Sequence, residues 1–151
     1  MLSVGTLAPD FELVNQVRQP VRLSSFRGRQ HVVLAFHPLA FTPVCSAQVQ
    51  SYERERPRLN QLGAHVLGVN TDLGPAKKAW ADALGGVSFD LLSDAYPQGQ
   101  VATAYGVMGE GGLVERAVFV IDREGVIRWA RRYAMDDHPD VQDVIAALAA
   151  L

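Results

Sequence analysis

The chain has 151 residues, 48% hydrophobic and 20% charged, a composition that excludes a disordered or fibrous protein and is ordinary for a folded one. With 14 Lys and Arg against 16 Asp and Glu the formal charge is -2, and the absence of long like-charge runs excludes an electrostatic nucleic-acid or anionic-membrane surface. No apolar run approaches membrane-spanning length, Met1 to Gly5 lacks a secretory leader, and the cytoplasm is the expected compartment.

No repeat or low-complexity linker divides the sequence, so residues 1–151 are read as one domain. At its start, Phe11 to Leu13 and Val21 to Leu23 predict a small hairpin, with Pro20 favouring an edge position. Val32 to Phe36 and Ala64 to Asn70 are short, nearly continuous apolar runs, as strands covered on both faces should be. Between them, Thr42 to about Leu62 carries Val49, Tyr52, Leu59 and Leu62 at helical spacing, and Pro57 predicts a kink or break. Pro75 to Leu84 is a second helix, closed by Gly85 and Gly86. Ala117 to Asp122 and Val126 to Trp129 flank the Arg123-Glu124-Gly125 turn and predict a hairpin. Val141, Val144, Ile145, Leu148 and Leu151 mark an amphipathic C-terminal helix entered at Pro139. The pattern is α/β, a central mixed sheet flanked by helices with an N-terminal β-hairpin.

The segment HPLAFTPVC, His37 to Cys45, leaves the C-terminal end of an apolar strand and opens the first long helix. Thr42 suits the N-cap and Pro43 the first helical position, which puts Cys45 in the first turn among free backbone N–H groups. Such a setting favours a thiolate, but an exposed helix terminus supplies only ~0.3 to 1 kcal/mol. Bringing a thiol from ~8.5 to ~6 takes about 3.4 kcal/mol, so another cation is required nearby. Even complete ionisation raises the reactive fraction only about 30-fold, and fixed donors must supply the rest of any catalysis. Taken alone, a single intracellular cysteine is most often an inert buried hydrophobe.

The spacing Pro38-x3-Thr42-x2-Cys45, after a strand and opening a helix, resembles the active-site motif of the peroxiredoxins, the AhpC/TSA family of thiol peroxidases with a thioredoxin-like fold. The likeness extends to VGTLAPDF at Val4 to Phe11, Leu-x2-Phe-x-Gly at Leu23 to Gly28, LLSD at Leu91 to Asp94, AYGV at Ala104 to Val107 and RAVFVIDREGVIR at Arg116 to Arg128. PLAFTPVC, the short length and the single cysteine are most similar to the one-cysteine bacterial branch, of the alkyl hydroperoxide reductase E kind. The resemblance implies Cys45 as peroxidatic nucleophile, Thr42 as the hydroxyl that contacts peroxide, Pro38 as the ring shielding the site and Arg116 as the guanidinium stabilising thiolate and substrate. Arg116 would also be the cation that the thiol energetics demand.

A Thr42 oxygen engaged in capping the helix is less free to orient a peroxide, so its two roles compete. The likeness breaks at Gln48, where many relatives carry Glu, and Gln50 stands where some place a resolving cysteine. The implied partners are a peroxide substrate and an external thiol, either a low-molecular-weight thiol or a thioredoxin- or glutaredoxin-like protein, and a homodimer is the expected assembly. Phe36, Phe41, Tyr96 and Trp80 fit a dimer interface or the chain's own core. His31, His37, His65 and His138 lack zinc-ligand spacing, and Gly106 to Gly112 matches no phosphate or dinucleotide motif, so no metal or cofactor is expected. Two other functions share the reactive thiol: a peroxide sensor or binding module, and a thiol-disulfide oxidoreductase in which Thr42 replaces the first cysteine of a C-x-x-C motif.

Overall fold

A computed structural model describes residues 1–151. Seven strands make one mixed sheet: β1 (Glu12–Val14), β2 (Pro20–Arg22), β3 (His31–Phe36), β4 (Ala64–Asn70), β5 (Asp90–Ser93), β6 (Arg116–Ile121) and β7 (Ile127–Tyr133), in the order β2-β1-β5-β4-β3-β6-β7. The central β3, β4 and β5 run parallel, and β6 and β7 add antiparallel strands on one side. The N-terminal hairpin is continuous with this sheet, joined through Val14 opposite Ser93. The helices are α1 (Pro43–Arg54), α2 (Arg56–Gln61), α3 (Gly74–Ala83), α4 (Gln100–Ala104) and α5 (Val141–Ala149).

Strand alternation divides the core into two clusters of 18 buried residues each, one on either face. Leu34, Phe36, Leu67, Val69, Leu92, Ala117 and Phe119 meet Val101, Ala102 and Tyr105 on one face. On the other, Val33, Ala35, Val66, Leu91, Val118 and Val120 meet Val49 and Tyr52 of α1, Leu59 of α2, Trp80 of α3 and the apolar stripe of α5. In α5, Val141, Val144, Ile145 and Leu148 are buried, and at about 1.5 to 3 kcal/mol per buried side chain their docking contributes several kcal/mol before chain entropy is subtracted.

The helix boundaries have local causes. Pro57 cannot continue α1, and the helix restarts as α2 with that proline in its first turn. The entry cap of α5 is Asp140, whose carboxylate accepts from Gln142 N at 2.9 Å, and Leu151 lies beyond the helix and half-exposed. In the β6–β7 turn, the Asp122 carboxylate accepts from Glu124 N at 2.9 Å and Val126 N at 3.0 Å, while Gly125 takes the left-handed backbone (φ 84). β7 runs on to Tyr133, four residues past the predicted end, because its pairing with β6 continues to Arg116 opposite Tyr133.

Candidate active site

Cys45 occupies the third position of α1, fully buried, on the helix-covered face of the sheet. Ser46 N donates to Thr42 O at 2.9 Å as the first helical bond, so the N–H groups of Val44 and Cys45 precede the ladder and point out of the helix end. Arg116 reaches the sulfur from the first residue of β6: its Nη2 lies 3.3 Å from Cys45 Sγ. Arg116 is 2% exposed, and it also bonds through Nη1 to Gln48 Oε1 at 2.9 Å and through Nη2 and Nε to Met135 O at 3.1 and 3.4 Å. These bonds orient the planar fork, so its charge faces the sulfur.

Thr42 caps by position only. Its Oγ1 donates to Leu39 O at 2.8 Å and makes no bond to the helix N–H groups. The physical reason is the loop before it, in which Phe41 adopts a left-handed backbone (φ 65). The oxygen lone pairs therefore escape the expected competition and remain available to a peroxide O–H. Pro38 is buried at the start of this loop, and Leu39 and Phe41 are exposed on it. Of the aromatic residues first read as either interface or core, Phe36 and Trp80 are core, whereas Phe41 and Tyr96 face outward.

Sequence reasoning assigned no role to four participants. Gln48 lies one turn after Cys45 and bridges Arg116 to Tyr52, donating through Nε2 to the phenol oxygen at 3.3 Å. Its position three after Cys45 stood out in the sequence as a departure from relatives that carry Glu, but residue identity alone gave it no role. The Met135 carbonyl is a backbone acceptor and carries no sequence signature. His37 and Lys77 are buried beside the site, the first continuing the β3 face of Val33 and Ala35, the second one turn before Trp80 on α3. Burial, aided by the Lys77 and Arg116 charges, holds His37 well below the usual histidine range and hence neutral. Burial raises the Tyr52 phenol above its ordinary value. Asp94 and Tyr105 have structural bonds: the Asp94 carboxylate accepts from Val101 N and Ala102 N at the start of α4, and the Tyr105 hydroxyl donates to Pro9 O. No three His, Cys, Asp or Glu side chains converge as a metal site would require.

A buried thiol at a helix N-terminus, faced by a fixed guanidinium from a neighbouring strand, defines a cysteine-dependent redox protein of thioredoxin-like fold. The AhpC/TSA family pattern matches residues 4–130. Alkyl hydroperoxide reductase E of Mycobacterium tuberculosis is 40% identical over 152 residues, covering 100% of this chain and 99% of that protein. A chloroplastic 2-cysteine peroxiredoxin of Chattonella marina var. antiqua is 30% identical over 159 residues, covering 99% of this chain and 80% of its own. Among solved structures, peroxidoxin BcpB from Mycobacterium tuberculosis superposes with a TM-score of 0.88 at 31% identity, covering 100% of this chain and 99% of the other. Enterococcus faecalis AhpC gives 0.89 at 27% identity, covering 99% and 92%. The chain belongs to the AhpC/TSA family and is a peroxiredoxin with one cysteine.

Proposed function

We propose that the protein is a one-cysteine thiol peroxidase that reduces hydrogen peroxide or small organic hydroperoxides at Cys45, with Thr42, Arg116 and Pro38 completing the site. The observation that carries this reading is the 3.3 Å approach of Arg116 Nη2 to Cys45 Sγ. In the first half-reaction the thiolate attacks the terminal peroxide oxygen, an S–O bond forms as the O–O bond breaks, and the alkoxide or hydroxide leaves and takes a proton. Arg116 stabilises the thiolate before attack and the charge spreading over the peroxide oxygens during it. Thr42 Oγ1, already donating to Leu39 O, accepts the peroxide O–H and aligns the O–O bond with the sulfur. Pro38 keeps water from the sulfur.

The product is a Cys45 sulfenic acid. With no second cysteine in the chain, an external thiol attacks it, releasing water and forming a mixed disulfide, and a second thiol restores Cys45 and carries off the disulfide. A low-molecular-weight thiol or a thioredoxin- or glutaredoxin-like protein fits this requirement. No helix is long and apolar enough to cross a membrane. We place the enzyme in the cytoplasm, as one domain over residues 1–151, and as a homodimer for which exposed Leu39 and Phe41, on the loop before Cys45, and exposed Tyr96 supply apolar surface.

The decisive experiment follows peroxide consumption with an excess of a small thiol, for the wild type and Cys45→Ser. Many turnovers by the wild type and none by the variant are expected. One equivalent of peroxide consumed, followed by capture of another protein, would replace the enzyme with a sensor.

A further inference from the structure

Lys77 is fully buried, and its Nζ has no hydrogen-bond partner. Its place on α3 is set by the helix's inward face, shared with Trp80 and Ala81 at i+3 and i+4. That face lies beneath the opening turn of α1: Trp80 Nε1 donates to Ser46 Oγ at 3.0 Å, and its ring lies 5.3 Å from that of His37. An ammonium in such surroundings costs several kcal/mol unless a counter-charge compensates it.

The ordinary compensations are absent. Two carboxylates act on Lys77 electrostatically, Asp72 from the β4–α3 loop and Asp94 from the end of β5, but neither forms an ion pair with it. Asp72 Oδ2 accepts instead from Ala40 N at 2.8 Å and Asn70 Nδ2 at 2.6 Å, and Asp94 is committed to the N-terminus of α4. From the residue just past β3, His37 presents a neutral ring whose Nδ1 approaches Val69 O at 3.4 Å, leaving Nε2, also without a partner, as an acceptor. From α1 comes Cys45, the remaining group able to bring negative charge to this pocket.

We propose that Lys77 is a positioning residue for peroxide reduction, its buried ammonium supplying a second positive charge that favours the thiolate of Cys45. The assignment rests on the peroxidase reading of Cys45. Arg116 alone shares its charge among the sulfur, Gln48 and the Met135 carbonyl, whereas Lys77 is uncommitted by hydrogen bonds and acts on the sulfur through the low-dielectric interior. Burial brings the Lys77 ammonium down to about 7, with Asp72, Cys45 and Asp94 opposing the fall. A negative charge on Cys45 opposes that fall, since the two opposite charges attract through the buried interior.

Lys77→Met keeps an unbranched side chain one atom shorter and removes the charge. Ultraviolet titration of the thiolate should show Cys45 ionising about one pH unit higher than in the wild type, with oxidation by hydrogen peroxide slowed about tenfold at pH values below both ionisations and recovering at alkaline pH. Resistance to urea should be equal or greater, because a buried uncompensated charge is gone; a merely structural lysine would give the opposite change. Lys77→Arg, which retains a charge, should preserve the thiolate titration. A second measurement needs no Lys77 variant: by NMR, the ammonium should lose its proton at lower pH in Cys45→Ser than in the wild type, as reciprocal coupling requires. An unchanged thiolate titration in folded Lys77→Met, or an identical lysine titration with and without the thiol, overturns the assignment of Lys77 alone. A folded wild type that consumes no peroxide overturns the peroxidase reading beneath it.

Discussion

Replacing Arg116 by Met retains an unbranched but shorter chain and deletes the guanidinium that approaches Cys45 Sγ to 3.3 Å. Two consequences separate by pH. An unassisted thiol is ~3% ionised at neutral pH, so lost ionisation can slow oxidation by about 30-fold at most. Loss of a fixed donor aimed at the charge developing on the peroxide costs a further ~10²- to 10³-fold, by analogy with removal of one oxyanion donor. At neutral pH the variant should thus be slower by about 10³- to 10⁴-fold, and at a pH that ionises the thiol in both proteins a deficit of ~10²-fold or more should persist. Stability should fall by about 2 kcal/mol or more, since Gln48 Oε1 and Met135 O lose their Arg116 donors, although relief from burying a cation offsets part of the loss. Stopped-flow oxidation across pH, with folding checked by urea titration, reads both effects. A deficit that vanishes at high pH would confine Arg116 to thiol ionisation and refute its transition-state role.

Peroxide alone should leave Cys45 as a sulfenic acid, advancing to sulfinic acid under excess oxidant, and mass spectrometry after trapping should find the adduct at this one site. Rapid peroxide loss without the adduct would count against the cycle. Thr42→Val should slow oxidation at least tenfold while costing only about 1 kcal/mol for the bond to Leu39 O, and Thr42→Ser should restore most of the rate; stopped-flow kinetics and urea titration decide between this and a purely structural hydroxyl. For pH and stability, the Lys77 amine binds its proton near 10.4 when unfolded and at about 7 when folded, so between these values the unfolded chain holds the extra proton. Stability of the wild type relative to Lys77→Met should therefore rise from pH ~7 to ~9.5, at up to ~1.4 kcal/mol per unit; parallel urea curves with no such rise would exclude a depressed lysine.

The sheet's long strands were legible because β3, β4 and β6 are mostly apolar runs, buried along nearly their whole lengths. By contrast, β5 has only four residues with two apolar ones between polar ends, and α4 has five residues, too short for either to express a periodicity. The hairpin of β1 and β2 was recognisable but lies one residue from its expected bounds at several ends, since pairing with β5 and the 3-10 turn at Leu23–Phe26 set its limits. The cysteine's place at a helix start followed from Thr42 and Pro43, whereas the Thr42 side-chain bond depended on the backbone turn at Phe41, invisible in residue identities. Lys77 was hidden for another reason: within PAKKAWADAL it reads as one of two ordinary surface lysines, and only docking of the helix distinguishes it from exposed Lys78.

Alternation along the strands ties the chemistry to parity. His37 follows Val33 and Ala35, and Arg116 precedes Val118 and Val120, on the face covered by α1, α3 and α5. The last paired residues of β3 and β6 are Phe36 and Ala117, so Arg116 emerges one step beyond them, at the end where α1 begins. Deleting a single residue among Ala117–Ile121, with the rest of the strand held by its apolar face, would turn the guanidinium through the sheet to the side of Phe36 and Tyr105. Two deleted residues would preserve its side while drawing it back along the strand. Length changes in the turn at Asp122–Gly125 would do neither, so this fold admits growth at its loops while its reactive centre accepts only even steps in the strands that frame it.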